Sequence, residues 1–273
     1  MPERCIMGFM NRDELKGKWA LVTGASSGLG VDFARELAKR GANVVLVARR
    51  EERLREVAQE IREDFGVEAE AVSMDLGDRE GAERLYAQLE ERGRIVDILI
   101  NNAGIGVYGD YLEISWEREH TMLELDVVTL AHLTKLFGRD MAERGWGRML
   151  QVSSIGAYQP TPTYAAYSAA KSFVLSFSEA VSFELEPRGV TSTAISPGIT
   201  KTEFLQVAGQ EATLYQRMMR MDSETVAAVG IRAMLRRRRS VVPGFLNAAT
   251  AFFTRLMPRR LATWVAYQTM KGG

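Results

Sequence analysis

Residues 18–30 read KWALVTGASSGLG. A short apolar run of strand character, Lys18 to Thr23, ends in a turn carrying Gly24, Gly28 and Gly30 and passes directly into a helical stretch that reaches Arg40. Glycines in such a turn let the backbone approach a pyrophosphate, and the helix behind it offers unpaired N–H groups and positive potential. A purely structural turn would show the same glycines, so the reading depends on context. The context is a regular alternation. Asn43 to Ala48 (NVVLVA) reads as a strand, Glu51 to Phe65 as an amphipathic helix, Val67 to Met74 as a strand and Arg79 to Arg92 as a helix. Then come a strand at Val96 to Asn101, one long helix from about Ser115 to Glu143 and a strand at Arg148 to Ser153. A helix from Tyr164 to Glu186 stops at Pro187 and Gly189, and Val190 to Ser196 is a sixth strand. Buried strands separated by helices predict an α/β fold, a doubly wound parallel sheet with helices on both faces.

The 273 residues fit a single large domain, read here as 17–273 behind an N-terminal arm at 1–16. Lys plus Arg and Asp plus Glu are both 35, a balance that gives no reason to expect a nucleic-acid partner. The charge is uneven, however: residues 214–273 hold 11 basic groups against Asp222 and Glu224 alone. The single cysteine, Cys5, excludes an internal disulfide and is compatible with a reducing compartment. With no apolar run long enough to span a bilayer, a cytoplasmic location is expected. His120 and His132 have no third ligand at suitable spacing, so no metal is expected.

The glycine spacing is G-x3-G-x-G. With NNAG at residues 101–104 and Y-S-A-A-K at 167–171, the chain resembles the short-chain dehydrogenase/reductase family over roughly residues 16 to 245. That resemblance implies a single Rossmann-type domain and a nicotinamide dinucleotide held by Gly24, Ser26, Ser27, Gly28, Leu29 and Gly30. It also implies Asp75 and Leu76 near the adenine, with Asn102, Ala103 and Gly104 beside the adenosine ribose. The NNAG residues are equally suited to ending a strand. Where an NAD site presents an acidic residue at the end of the second strand, this chain has Ala48, Arg49 and Arg50. No carboxylate stands there to repel a 2′-phosphate, and an arginine fork fits one, so NADP(H) is expected, with Arg53 assisting from one turn further on. A solvated helix start is the other reading of these arginines.

Tyr167 and Lys171 stand at i and i+4 in a helical segment, which puts both on one face. A free phenol has a pKa of about 10, and an adjacent ammonium is expected to lower it toward the working range. Ser154 lies just past the end of the fifth strand, where ligands of open parallel sheets bind. Its neighbour Ser153 should point the other way. The resemblance carries the family's catalytic serine, tyrosine and lysine onto Ser154, Tyr167 and Lys171. In the mechanism it implies, Tyr167 exchanges a proton with the substrate oxygen while hydride passes between nicotinamide and carbon. Ser154 stabilises the oxygen, and Lys171 holds the nicotinamide ribose. One position departs from the family: Asp126 stands where an asparagine is usual. The segment from Pro197 and Gly198 through Thr200 to Thr202 resembles the family's carboxamide-binding turn.

Residues 199–221 are read as a lid, with Phe204, Leu205, Val207, Leu214, Tyr215, Met218, Met219 and Met221 suited to an apolar pocket or to ordinary packing. Tyr108 and Tyr111 are expected on the pocket's other side. The substrate expected is a hydrophobic ketone or secondary alcohol. After a presumed edge strand at Ser240 to Gly244, Phe245 to Met257 and Leu261 to Met270 read as two amphipathic helices split by Pro258. This tail, 245–273, is open to three readings: subunit packing in a homodimer or homotetramer (the one preferred here), peripheral contact with an anionic membrane, or an acidic carrier. Two other functions compete with catalysis of carbonyl–alcohol exchange: a non-catalytic NADP-binding regulator and a sugar-nucleotide epimerase or dehydratase.

Overall fold

The computed structural model describes residues 14–210 and 220–271. The readings at Cys5, Leu214, Tyr215, Met218 and Met219 lie outside the described residues. The strands are β1 (Trp19–Thr23), β2 (Asn43–Ala48), β3 (Ala69–Ser73), β4 (Ile98–Asn101), β5 (Gly147–Val152), β6 (Val190–Ile195) and β7 (Ser240–Val241). The helices are α1 (Gly28–Ala38), α2 (Glu51–Phe65), α3 (Gly81–Glu91), α4 (Trp116–Leu123), α5 (Leu130–Glu143) and α6 (Ala165–Leu185). They are followed by α7 (Phe204–Ala208), α8 (Ser223–Leu235), α9 (Phe245–Leu256) and α10 (Arg259–Met270).

Among the described residues the seven strands form one sheet in the order β3-β2-β1-β4-β5-β6-β7, and every pairing is parallel. The chain builds outward from β1 through β2 to β3, then returns to the other side of β1 with β4. That reversal opens a crevice beyond the carboxyl ends of β1 and β4. The strands are apolar on both sides because helices cover both faces. Alternation sorts their side chains: Ala20, Val22, Val44, Leu46, Ile98, Ile100 and Leu150 enter one core with α1, α2 and α8. Leu21, Val45, Val47, Leu99 and Met149 enter the other with α3 and α5.

Three differences from the sequence reading have physical reasons. Leu15, assigned to the arm, is buried in the first core, and its N–H donates to the Arg40 carbonyl at 2.9 Å, so the domain begins earlier. The long helix is not continuous: residues Glu124–Thr129 form a π-helical turn between α4 and α5. Such a turn inserts a residue into the helical ladder and re-aims the side chains around it, and these insertions gather at functional sites. The last strand is shorter than expected and ends before Pro243, which has no N–H to continue a ladder.

Phe33 of α1 is fully buried in the core that joins α1 to α8 and the sheet. Phe33→Ala is expected to lower stability by about 3–5 kcal/mol, because the emptied volume cannot collapse within a parallel sheet. Urea denaturation followed by circular dichroism measures this, and a loss below about 1 kcal/mol would mean that the core repacks.

Candidate active site

At one end of the crevice the backbone is packed too closely for side chains. Gly24 has φ +67°, and a Cβ there would lie 2.8 Å from Asn102 Nδ2 and 2.9 Å from Ala103 Cα. A Cβ on Gly30 would lie 2.1 Å from the Gly24 carbonyl oxygen. Thr23 holds this corner together: its Oγ1 accepts the N–H groups of Asn102 at 3.0 Å and Ala103 at 2.9 Å. Asn102 Nδ2 donates back to the Thr23 carbonyl at 2.9 Å. The NNAG segment thus both ends β4 and braces the glycine turn. Behind the turn, α1 begins at Gly28 with no acidic residue in its first turn, leaving its positive end free for an anion. Gly28 has φ +53°, and a Cβ on it would meet Thr202 Cγ2 at 2.9 Å, so the turn after β6 closes over the glycine turn. From the end of β2, Arg50 donates to Ser26 Oγ and pairs with Glu203, both at 3.2 Å, while Arg49 stands 3.8 Å from Asp75.

At the other end stand the groups with chemistry. Ser154 leaves β5 in an extended conformation and its Oγ accepts the Gly156 N–H at 3.1 Å. Its side chain also hydrogen-bonds that of Tyr167. Ser153 also borders the cavity, and its Oγ donates to the Lys171 carbonyl at 2.7 Å. Lys171 is buried; its Nζ donates to the Val152 carbonyl at 3.1 Å and sits 2.9 Å from Asp126 Oδ2. The other carboxylate oxygen, Oδ1, accepts the Ile105 N–H at 2.9 Å. Asp126 is fully buried, and its carboxylate oxygens lie 3.0 Å from where a Cβ on Gly104 would stand. The π-turn is what delivers this carboxylate to the lysine.

This arrangement reverses one electrostatic expectation. The Lys171 ammonium, 5.6 Å from the Tyr167 ring centroid, is neutralised by Asp126 instead of acting on the phenol alone. Burial pushes the Tyr167 phenol above its ordinary range, the Asp126 carboxylate adds to the rise, and the hydrogen bond with Ser154 offsets part of it. Burial likewise raises Asp126, against the pull of Lys171.

Between the two ends lies a cavity of about 500 Å³. Most residues singled out from sequence line it: Gly24, Ser26, Ser27, Gly28, Leu29, Arg49, Arg50, Asp75, Leu76, Asn102, Ala103, Gly104, Ser154, Tyr167, Lys171, Pro197, Gly198, Thr200 and Thr202. Gly30 and Asp126 stand behind the wall as packing and pairing groups. Arg53 does not reach the cavity lining and pairs with Glu56 at 2.7 Å on the exposed side of α2. Neither Tyr108 nor Tyr111 lines it; Tyr108 packs against Tyr164 with ring centroids 5.3 Å apart, and Tyr111 is exposed. The sequence reading missed Tyr164, Gln159, Thr161 and Met270 as lining residues. Only Tyr164 left a signal, being three residues before Tyr167 on the same helical face. Phe204 of α7 lies 5.4 Å from the Tyr167 ring, and Leu205 and Val207 join it along the cavity. Met221 N–H donates to the Ile199 carbonyl and Lys201 N–H to that of Met221, at 2.9 and 3.0 Å.

Comparison with known proteins agrees with this architecture. Residues 18–213 match the family described as short chain dehydrogenase. The chain is 36% identical over 197 residues to a very-long-chain 3-oxoacyl-CoA reductase of Anas platyrhynchos, covering 70% of this chain and 62% of that protein, so it spans less than two thirds of that relative's length. It is 35% identical over 196 residues to a 7β-hydroxysteroid dehydrogenase of Collinsella aerofaciens, covering 72% and 74% of the two chains. Its fold superposes with a TM-score of 0.78 on a short-chain dehydrogenase from Sphingobium yanoikuyae in complex with NADPH, at 28% identity and covering 88% and 96% of the two chains. The chain belongs to the short-chain dehydrogenase/reductase family, oxidoreductases that work on C=O and CH–OH groups and bind a nicotinamide cofactor.

The buried pair generates a pH prediction. Asp126→Asn removes a negative charge beside the phenol and frees the Lys171 ammonium, so Tyr167 should lose its proton at lower pH. On the expectation that Tyr167 donates the proton in reduction, the alkaline limb should move down by about one pH unit or more. Profiles of kcat against pH for wild type and variant report the shift; superimposable limbs would show that Asp126 does not act on Tyr167.

Proposed function

We propose that the protein is an NADPH-dependent reductase of hydrophobic ketones. The observation that carries the reading is the convergence of Ser154, Tyr167 and Lys171 at the deep end of a cavity whose opposite end is a glycine-walled turn flanked by Arg49 and Arg50. The site suits the cofactor: side chains are excluded where a pyrophosphate would approach, α1 presents a free N-terminus, and no carboxylate occupies the end of β2. Arg49 and Arg50 would hold the 2′-phosphate, Lys171 the nicotinamide ribose, and the Pro197–Thr202 turn the carboxamide. The bound dinucleotide supplies hydride.

The residues of this chain do the rest. The Ser154 and Tyr167 hydroxyls stand side by side at the cavity, and both can donate to one substrate oxygen when it displaces their mutual hydrogen bond. Tyr167, kept protonated by burial and by Asp126, gives its proton to the oxygen as charge develops there. The protonated phenol is the form that carbonyl reduction uses. Tyr164, Phe204, Leu205, Val207 and Met270 supply an apolar wall for the remainder of the substrate. The names of relatives, a 3-oxoacyl-CoA reductase and a hydroxysteroid dehydrogenase, are in keeping with such a ketone.

Tyr167→Phe should lower kcat by about 10²–10⁴-fold while leaving NADPH affinity within a few-fold of wild type, as read from reduced-cofactor absorbance with a panel of acyl, aryl and steroid ketones and from fluorescence titration. Retained turnover would remove Tyr167 as the acid. Arg49→Ala combined with Arg50→Ala should raise KM for NADPH by about 10- to 150-fold, the range for one lost charge-assisted hydrogen bond, and leave KM for NADH nearly unchanged. An equal rise for both cofactors would contradict the 2′-phosphate assignment.

A further inference from the structure

Helices α9 and α10 are amphipathic the wrong way round for a water-facing surface. α9 turns Asn247 and Ala251 inward, both buried, where Asn247 meets Gly198 of the cleft turn. It turns outward Phe245 (85% exposed), Phe252 (58%), Phe253 (60%) and Leu256 (70%). Phe245, Ala249, Phe252 and Leu256 recur at helical spacing along one stripe, with Leu246 and Phe253 beside it. α10 repeats the arrangement: Ala262 and Ala266 are buried, while Leu261, Trp264 and Val265 face outward. A helix covered by water normally does the reverse, and an exposed apolar surface of this kind marks a docking site.

The charge around it specifies the occupant. Arg255, Arg259, Arg260 and Lys271 are exposed on these two helices and their ends, and no acidic residue occurs anywhere after Glu224. Aromatic and aliphatic groups on two helices whose own charges are all positive suit an interface whose interior is hydrocarbon and whose surface is negative. A second copy docked by the same face would set arginine against arginine, since a two-fold contact places each patch on itself. We infer that α9 and α10 form a monotopic docking surface for an anionic lipid bilayer. The protein would lie on the membrane, not through it: among the described residues no helix is long and apolar enough to cross one. The segment lies beyond the residues matched to the family, 18–213. The inference is independent of the cofactor and substrate assigned above, although the inner side of the same helices meets the cleft through Asn247 and Met270.

Co-sedimentation of the full chain with vesicles tests it. Protein should pellet with vesicles of phosphatidylcholine mixed with phosphatidylglycerol and remain in the supernatant with phosphatidylcholine alone. Each basic group near an anionic surface strengthens partitioning about fivefold, so Arg255→Glu with Arg259→Glu and Arg260→Glu should weaken binding by about a hundredfold or more. Phe252→Ser with Phe253→Ser and Leu256→Ser should abolish pelleting. Both sets are exposed and leave the core intact, which circular dichroism checks, and light scattering should show an unchanged oligomeric state. No pelleting with the anionic vesicles, or pelleting that neither variant alters, would overturn the inference. So would an oligomer that dissociates when the apolar set is replaced, because the face would then be a subunit contact.

Discussion

A buried ammonium in the wall of the cleft is the constraint around which this site is built. Removing a lysine charge from water is costly by several kcal/mol unless it is paired and hydrogen-bonded. Lys171 meets that requirement with Asp126 and the Val152 carbonyl. The carboxylate in turn needs its own partner, the Ile105 N–H, and room beside Gly104 where no side chain can stand. The helix that carries Asp126 is a π-turn where it meets the lysine. A glycine, a loop amide, a helix defect and a strand carbonyl are therefore answers to one electrostatic demand.

The consequence falls on Tyr167. A lone ammonium nearby would draw the phenol toward ionisation, whereas a neutral ion pair leaves burial in control, and the phenol keeps its proton. With asparagine in the place of Asp126, the same lysine would be uncompensated. Asp126 in this chain works with burial to raise the phenol above its ordinary range.

The parts legible in the sequence were those with local signatures. The glycine turn followed a strand and opened a helix; β2 and α2 were bounded by sharp changes in pattern and coincide with the structure at both ends. Ser154, Tyr167 and Lys171 were legible through the family resemblance, with which the strand end and the helix spacing agree. Periodicity could not show the π-turn, since one inserted residue barely disturbs an apolar stripe. Arg53 was placed by helical spacing from Arg49, yet α2 begins at Glu51, so that spacing does not apply across the helix start. Gln159 and Thr161 sit on irregular backbone, and Met270 reaches the cavity from the far end of the chain; neither leaves a local pattern. The outward-facing aromatics of α9 were visible as amphipathic helix, but which stripe faced inward was decided by packing against Gly198.

The central claim, a phenol kept protonated by its surroundings, is open to direct titration. Ultraviolet difference absorbance of wild type minus Tyr167→Phe isolates the tyrosinate signal of this one residue as pH is raised. The account predicts that the signal emerges only above the range of free tyrosine, about 10. Its appearance near neutrality would contradict the account and restore Lys171 as the group that controls the phenol.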